Sequence, residues 1–272
     1  MARVVELRVP AAEAELAADR LWTAGAQAVE ELGGRGGTVA LRSVLSDDDA
    51  VSRTRLGELP AGWELGFVDQ PDAPSEAWRD HAVPIHVSPT LVVRPAWLAP
   101  LATTPGVEQV AIEPAGAFGL GDHPTTRLAA AAAERLTRAG VSVLDVGCGT
   151  GVLAVIAALR GAAPVVAIDV AEAALEATWA NAARNGVERA VDVSTTPLAE
   201  VDGAFDVVFA NILAPTLVAL ADDLLRVLAP DGTLVISGVL AGAYDHVVAA
   251  LHPLAVVRTD VADGWAAVEL RR

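Results

Sequence analysis

The sequence has no lysine, one cysteine and no long apolar run, and these absences limit what the protein can be. All 19 basic residues are arginine, against 35 acidic residues, so the formal net charge is −16. Such acidity argues against direct binding of nucleic acid. The absence of lysine itself indicates codon usage rather than function. The single Cys148 cannot form an internal disulfide, and without a cluster of cysteines the sequence does not predict a zinc site.

No stretch approaches the ~20 apolar residues of a membrane span. The N-terminus also lacks the charged region and apolar core of a signal peptide. We therefore expect a soluble cytoplasmic protein. Its acidity suits a basic partner, but it suits simple solubility equally well. A length of 272 residues, 53% of them hydrophobic, allows one large domain or two modest ones.

The first 70 residues predict a small α+β domain. Strand patterns lie at 4–9, 28–32, 38–41 and 63–68, and helix patterns lie at 11–22 and from a Ser46 cap onward. This β-α-β-β-α-β order is typical of a ferredoxin-like module. The glycine cluster at 33–37 could be a phosphate loop, but no helix pattern follows it directly, so we favour a hairpin turn. We assign residues 71–106 to a linker that starts in a turn-rich stretch. Its strand-like patterns at 83–87 and 91–94 are limited by prolines to sheet edges or short pieces.

Residues 107–272 alternate strand and helix patterns and end in a hairpin pattern around 262–264. This predicts a doubly wound, Rossmann-like parallel sheet with an antiparallel last strand. Within it, the stretch 142–169 has the pattern of a strand, a glycine turn, a helix and a strand that ends on Asp169. A turn of this kind at the carboxyl ends of parallel strands predicts a site for a nucleotide-type cofactor.

The spacing of the glycines narrows the choice of cofactor. Gly147, Gly149 and Gly151 follow G-x-G-x-G, whereas a dinucleotide site is typically G-x-G-x-x-G. The observed spacing resembles that of Rossmann-like methyltransferases, which implies S-adenosyl-L-methionine (SAM) as the cofactor. Asp145 could then serve the ammonium group, and Asp169 could accept both ribose hydroxyls. A plain tight turn for the glycines and a helix cap for Asp169 remain as alternatives.

Asn211 follows the apolar strand pattern 205–210 and precedes Ile-Leu-Ala. This strand end resembles the Asn-Pro-Pro-Tyr signature of methyltransferases that act on nitrogen. The amide oxygen could accept an N–H of an amine, aim its lone pair and stabilise positive charge as it develops. A turn or helix cap is the alternative for Asn211. We expect Cys148, between two glycines, to be a small filler rather than a nucleophile.

Three motifs together resemble the PrmA family of ribosomal protein L11 methyltransferases. They are Ala-Phe-Gly-Leu-Gly-Asp-His-Pro-Thr-Thr at 117–126, Asp-Val-Gly-Cys-Gly-Thr-Gly at 145–151 and Asn-Ile-Leu-Ala at 211–214. The resemblance implies that Thr126, Gly147 and Asp169 contact SAM and that Asn211 lies beside its methyl group. It also places Phe118 near SAM, through a cation–π contact or as a hydrophobic wall. We expect His123 to shape or cap the loop rather than act as a base.

The resemblance also implies a substrate. In the family, the N-terminal domain recognises a lysine-rich ribosomal protein, and the methyl groups go to lysine side chains and the N-terminal amine. Leu120 and Asp122 depart from the threonines usual in the family. The alternatives are another protein lysine or a small amine as acceptor, or a ribosome-associated protein that binds SAM without turnover. The sequence makes no prediction of oligomeric state.

Overall fold

The computed structural model describes residues 2–26, 29–33, 37–46, 48–70, 82–102, 105–114, 119 and 123–272. The chain divides into two compact units, Met1–Ala82 and Val83–Arg272. Residues 71–81 of the predicted linker lie outside the described residues. Within the described ranges, no helix is long and apolar enough to cross a membrane.

The N-terminal unit is built on a four-stranded antiparallel sheet. Its strands are β1 (Ala2–Pro10), β2 (Glu30–Leu32), β3 (Thr38–Ser43) and β4 (Glu64–Gln70), and its α-helices are α1 (Ala14–Thr23) and α2 (Asp49–Leu56). The order β2-β3-β1-β4 confirms the predicted ferredoxin-like arrangement. Alternate residues of β1 (Val5, Leu7 and Val9) are fully buried in one core with Leu21 of α1, as the two-residue period of a strand requires.

The start of α2 differs from the prediction, because Asp48 caps the helix and Ser46 does not. The Asp48 carboxylate accepts the backbone N–H of Ala50 at 2.7 Å and of Val51 at 3.3 Å. Ser46 Oγ accepts from the Asp48 N–H at 3.2 Å, one step before the helix. The aspartate takes the cap because its oxygen reaches two of the unpaired N–H groups of the first turn.

The C-terminal unit contains a small sheet and a large one. The small sheet has β5 (Ile85–His86), β6 (Leu91–Pro95) and β7 (Glu108–Ile112). The large sheet has β8 (Val143–Val146), β9 (Val165–Ile168), β10 (Val191–Ser194), β11 (Phe205–Asn211), β12 (Leu228–Leu240), β13 (Ala255–Ala262) and β14 (Trp265–Arg271). The helices are α3 (Pro124–Leu136), α4 (Val152–Leu159), α5 (Glu172–Arg184), α6 (Ala214–Ala219), α7 (Ala221–Val227) and α8 (Asp245–Ala250).

The large sheet has the order β10-β9-β8-β11-β12-β14-β13. Strands β8 to β12 run parallel, while β14 is antiparallel to both of its neighbours. The predicted doubly wound sheet with an antiparallel last strand is therefore confirmed. Helices cover both faces. In β11, Val207 and Phe209 pack into one core, and Val208 and Ala210 into the core on the opposite face, which explains the near-continuous apolar run of a central strand.

The structure divides the chain at a different place from the predicted linker. Residues 83–102 were expected within the linker 71–106, but they carry β5 and β6. Strand β6 pairs in parallel with β7, with Leu91 opposite Glu108 and Pro95 opposite Ile112. The C-terminal unit thus begins near Val83 rather than at residue 107.

Candidate functional site

The candidate site lies where three neighbouring parallel strands end. Strand β8 runs between β9 and β11, and Val146 pairs with both Ile168 and Ala210. The next residues along the chain are Gly147 after β8, Asp169 after β9 and Asn211 at the end of β11. Since strands are about 4.8 Å apart, Asp169 and Asn211 lie on either side of the glycine turn, roughly 10 Å from each other. The sheet thus brings the predicted residues to one edge.

The glycine turn is required by backbone conformation and by packing. Gly147, Gly149 and Gly151 have φ of 73°, 55° and 75°, in the left-handed region that glycine tolerates. A Cβ on Gly147 would lie 2.4 Å from Ile212 Cγ2, and one on Gly151 would lie 2.5 Å from Thr178 Cγ2. Any larger residue at these two positions would displace a neighbour.

Asp169 joins the end of β9 to the glycine turn. Its Oδ2 accepts the Gly149 N–H at 3.0 Å, and its Oδ1 accepts the Ala171 N–H at 3.0 Å. The alternative role as cap of α5 does not hold, because the cap residue is Ala171. A carboxylate has about four acceptor positions. The half-buried side chain therefore keeps capacity for two further donors, such as the hydroxyls of a ribose.

Asp145 is a buried carboxyl group beside the turn. It is 1% exposed, and its Oδ2 accepts the Ala154 N–H at 3.2 Å. Burial, with a smaller contribution from the charge of Asp169, raises the pKa of Asp145 to about 7. Near neutral pH this group can exist in either form, and a neighbouring cation would favour the carboxylate.

Asn211 presents a buried hydrogen-bond acceptor to which no described residue donates. Its Nδ2 donates to Thr126 Oγ1 at 3.5 Å, whereas its Oδ1 is buried and has no hydrogen-bond partner within the described part of the chain. Buried acceptors in native proteins are nearly always paired. The unpaired oxygen therefore suits an N–H donor from a bound molecule. Thr126, itself 1% exposed, orients the amide.

His123 has a structural role at the start of α3. Its Nδ1 contacts the Thr125 hydroxyl at 2.7 Å and caps the helix by accepting the Thr125 N–H at 3.4 Å. The ring packs edge-on against Trp265, 5.0 Å between centroids. These contacts agree with the expected capping role. Phe118, Leu120 and Asp122 lie outside the described residues.

Cys148 behaves as the expected small filler. The side chain is 6% exposed, and its Sγ lies 3.3 Å from Thr178 Oγ1. Burial, which is the main cause, and the nearby Asp145 raise the pKa of the thiol. A thiol held in its neutral form is a poor nucleophile.

Sequence reasoning missed a set of polar residues on α5 and at its C-cap, Asn185. Asn181 pairs with both backbone groups of Glu113, and Asn185 pairs with both backbone groups of Ala111, each at 2.9 Å. Thr178, on the same helix, contacts the glycine turn. Residues 178, 181 and 185 share one helical face by their spacing of three and four. Polar residues among the alanines of that face were the available signal.

Comparison with known proteins identifies similar sequences and folds. The family described as "Ribosomal protein L11 methyltransferase (PrmA)" matches residues 70–272. A ribosomal protein L11 methyltransferase of Geobacter sulfurreducens is 47% identical over 163 residues, which are 60% of this chain and 53% of that protein. A namesake from Sorangium cellulosum is 36% identical over 258 residues, covering 90% of this chain and 81% of that protein.

A solved structure, of the ribosomal protein L11 methylase of Lactobacillus delbrueckii subsp. bulgaricus, is similar with a TM-score of 0.65 and 33% identity. The match covers 70% of this chain and 98% of that one. The Geobacter metallireducens relative, 44% identical, is covered over 56% of its length. The chain thus spans little more than half the length of the two Geobacter relatives.

Proposed function

Because the chain belongs to the ribosomal protein L11 methyltransferase (PrmA) family, we propose that it methylates amines of ribosomal protein L11 with SAM as the methyl donor. The observation that carries the proposal is the buried Oδ1 of Asn211, which has no hydrogen-bond partner among the residues that the structure describes. A glycine turn and an acid at a strand end would suit many nucleotides. A hydrogen-bond acceptor available two strands from that acid suits an amine that is held in place to receive a methyl group.

The residues at the strand ends fit SAM. We assign to it Asp145, Gly147, Gly149 and Asp169, with Thr126, Asn211 and, by resemblance, Phe118. In this assignment Asp169 accepts from the ribose and the Asp145 carboxylate faces the ammonium group. The glycines let the backbone approach closely. When bound, SAM supplies a methyl group on a positively charged sulfur.

The chain's own residues orient the acceptor. Asn211 Oδ1 accepts one N–H of the amine, which aims the nitrogen lone pair. Thr126 Oγ1 accepts from Asn211 Nδ2 and so keeps Oδ1 for the substrate. A lysine amine must be neutral to react, against a free pKa of about 10.4. Burial around Asn211 favours the neutral form.

We assign substrate recognition to the N-terminal unit and transfer to the C-terminal unit. A net charge of −16 suits a lysine-rich substrate by electrostatic complementarity. The proposed targets are lysine side chains and the N-terminal amine. Binding of nucleic acid is not part of the proposal, and the proposed place of action is the cytoplasm.

Incubation of the protein with labelled SAM and unmethylated L11 tests the proposal. We expect mass spectrometry to find added methyl groups on L11 and much less product with Asn211→Ala. Label on another protein or on a small amine in a whole lysate, with none on L11, would replace the substrate. Binding of SAM in calorimetry with no product from any acceptor would favour the non-catalytic alternative.

A further inference from the structure

Helix α5 holds the glycine turn from outside through two polar side chains. Thr178 Oγ1 donates to the Gly149 carbonyl at 3.0 Å, and Asn181 Nδ2 donates to the Thr150 carbonyl at 2.9 Å. Both side chains are completely buried. Two successive carbonyls of the turn are therefore fixed by one face of one helix.

These bonds also set the direction of an N–H group. In a planar trans peptide, the C=O and the following N–H point in opposite directions. The Gly149 carbonyl is directed toward α5, so the Thr150 N–H points away from the helix. The methyl group of Thr178 also packs closely against Gly151, since a Cβ on Gly151 would lie 2.5 Å from Thr178 Cγ2.

We propose that Thr178 and Asn181 are positioning residues that hold the glycine turn in the shape that binds SAM. The inference rests on the proposed function, because it takes the turn to be part of the SAM site. The turn contains three glycines, which have the greatest backbone freedom to lose. Loss of a donor would leave a buried carbonyl unpaired and let the turn relax.

A pair of substitutions separates hydrogen bonding from packing at Thr178. Thr178→Val keeps the volume and removes the hydroxyl, whereas Thr178→Ser keeps the hydroxyl and removes a methyl group. We expect calorimetry to show a Kd for SAM about 5- to 10-fold higher for Thr178→Val, the size of one net hydrogen bond. For Thr178→Ser the Kd should stay within about twofold of the wild type.

The matched control is Thr137→Val. Thr137 is also buried and its hydroxyl donates to a backbone carbonyl, that of Ala133, at 2.6 Å. This variant loses the same kind of bond at the end of α3, so its Kd for SAM should equal that of the wild type. Thermal unfolding of all three variants measures any general loss of stability.

The outcomes discriminate clearly. A wild type that binds no SAM would overturn the proposed function and this inference with it. Normal binding by Thr178→Val, in a wild type that does bind, would overturn the positioning role alone. Weaker binding by Thr178→Ser than by Thr178→Val would assign the residue to packing. In turnover assays, Thr178→Val should raise KM for SAM and leave kcat within about twofold; an unchanged KM with a lower kcat would contradict the proposal.

Discussion

Replacement of Asp145 by asparagine should stabilise the protein at neutral and higher pH. Asparagine has nearly the same shape, and its amide oxygen can still accept the Ala154 N–H. It cannot ionise, however, and so avoids the cost of a buried charge. Asp145 is almost completely buried, at 1% exposed, so the cost of its charged form is large.

The expected size follows from the pKa. Burial raises the pKa of Asp145 from 3.8 to about 7, about 3 units, which is about 4 kcal/mol at 1.36 kcal/mol per unit. Between the two values the folded protein keeps a proton that the unfolded chain has released. The wild type therefore loses stability as pH rises through this window, and the loss is complete above about pH 7. Asp145→Asn should escape it.

Urea unfolding at several pH values measures the difference in free energy of unfolding. We expect the advantage of Asp145→Asn to grow by about 2 kcal/mol between pH 5 and pH 7. Asp206→Asn is the control. Hydrogen bonds from the Ser142 N–H and hydroxyl lower the pKa of Asp206, so its stabilisation is present above 3.8 and lost only below. That variant should be less stable than the wild type by a constant amount from pH 5 to pH 8.

A constant difference between Asp145→Asn and the wild type across this range would refute the reasoning.

The carboxyl group of Asp145 should also link SAM binding to pH. If Asp145 faces the ammonium group, binding favours the carboxylate and releases protons below about pH 7. Calorimetry in buffers of different ionisation enthalpy measures that release, and Asp145→Asn should abolish it while it weakens binding.

Three further substitutions test the site. Asp169→Ala should weaken SAM binding by about 1.5–3 kcal/mol for each charge-assisted hydrogen bond lost; unchanged affinity in calorimetry would remove the ribose from Asp169. Asn211→Ala should lower kcat and leave the Kd for SAM within about twofold, because its Oδ1 is assigned to the acceptor amine; a raised Kd in calorimetry with an unchanged kcat would contradict that main role. Gly147→Ala combines a φ of 73° with a Cβ 2.4 Å from Ile212 Cγ2 and should cost at least about 1–2 kcal/mol of folding stability. Urea unfolding that matched the wild type would contradict that expectation.

Local signals explain why the fold class could be predicted. The apolar run of β11 and the glycine spacing after β8 are properties of short windows, and the order of such windows predicts a doubly wound sheet. The hairpin at 262–264 was equally local, since Asp263 and Gly264 have positive φ. The extent of β12 was not predicted, because Pro230 and Gly232 within it have the pattern of a turn. Phe205 pairs with Leu228 and Val207 with Thr233, so residues 229–232 of β12 lie opposite a single residue of β11.

The contacts that complete the site could not be predicted, because they join distant residues. Asn211 and Thr126 are 85 positions apart, and Asn181 and Glu113 are 68 apart. The hydrophobic periodicity of a sequence contains no information on such a pairing. The early start of the C-terminal unit was missed for a similar reason: the strand patterns at 83–87 and 91–94 are short and interrupted by prolines, and the pairing of β6 with β7 is what places them in this unit.

Asn181 of α5 and Asn185, the C-cap of this helix, also protect an edge of the small sheet. Strand β7 is the last strand of that sheet, and such an edge invites pairing with another chain. Asn185 and Asn181 satisfy both backbone groups of Ala111 and Glu113, as the amides of a neighbouring strand would. Four helical residues advance about 6 Å and two strand residues about 6.6 Å. This match of helical and strand repeats lets a helix close the edge against intermolecular β-sheet association.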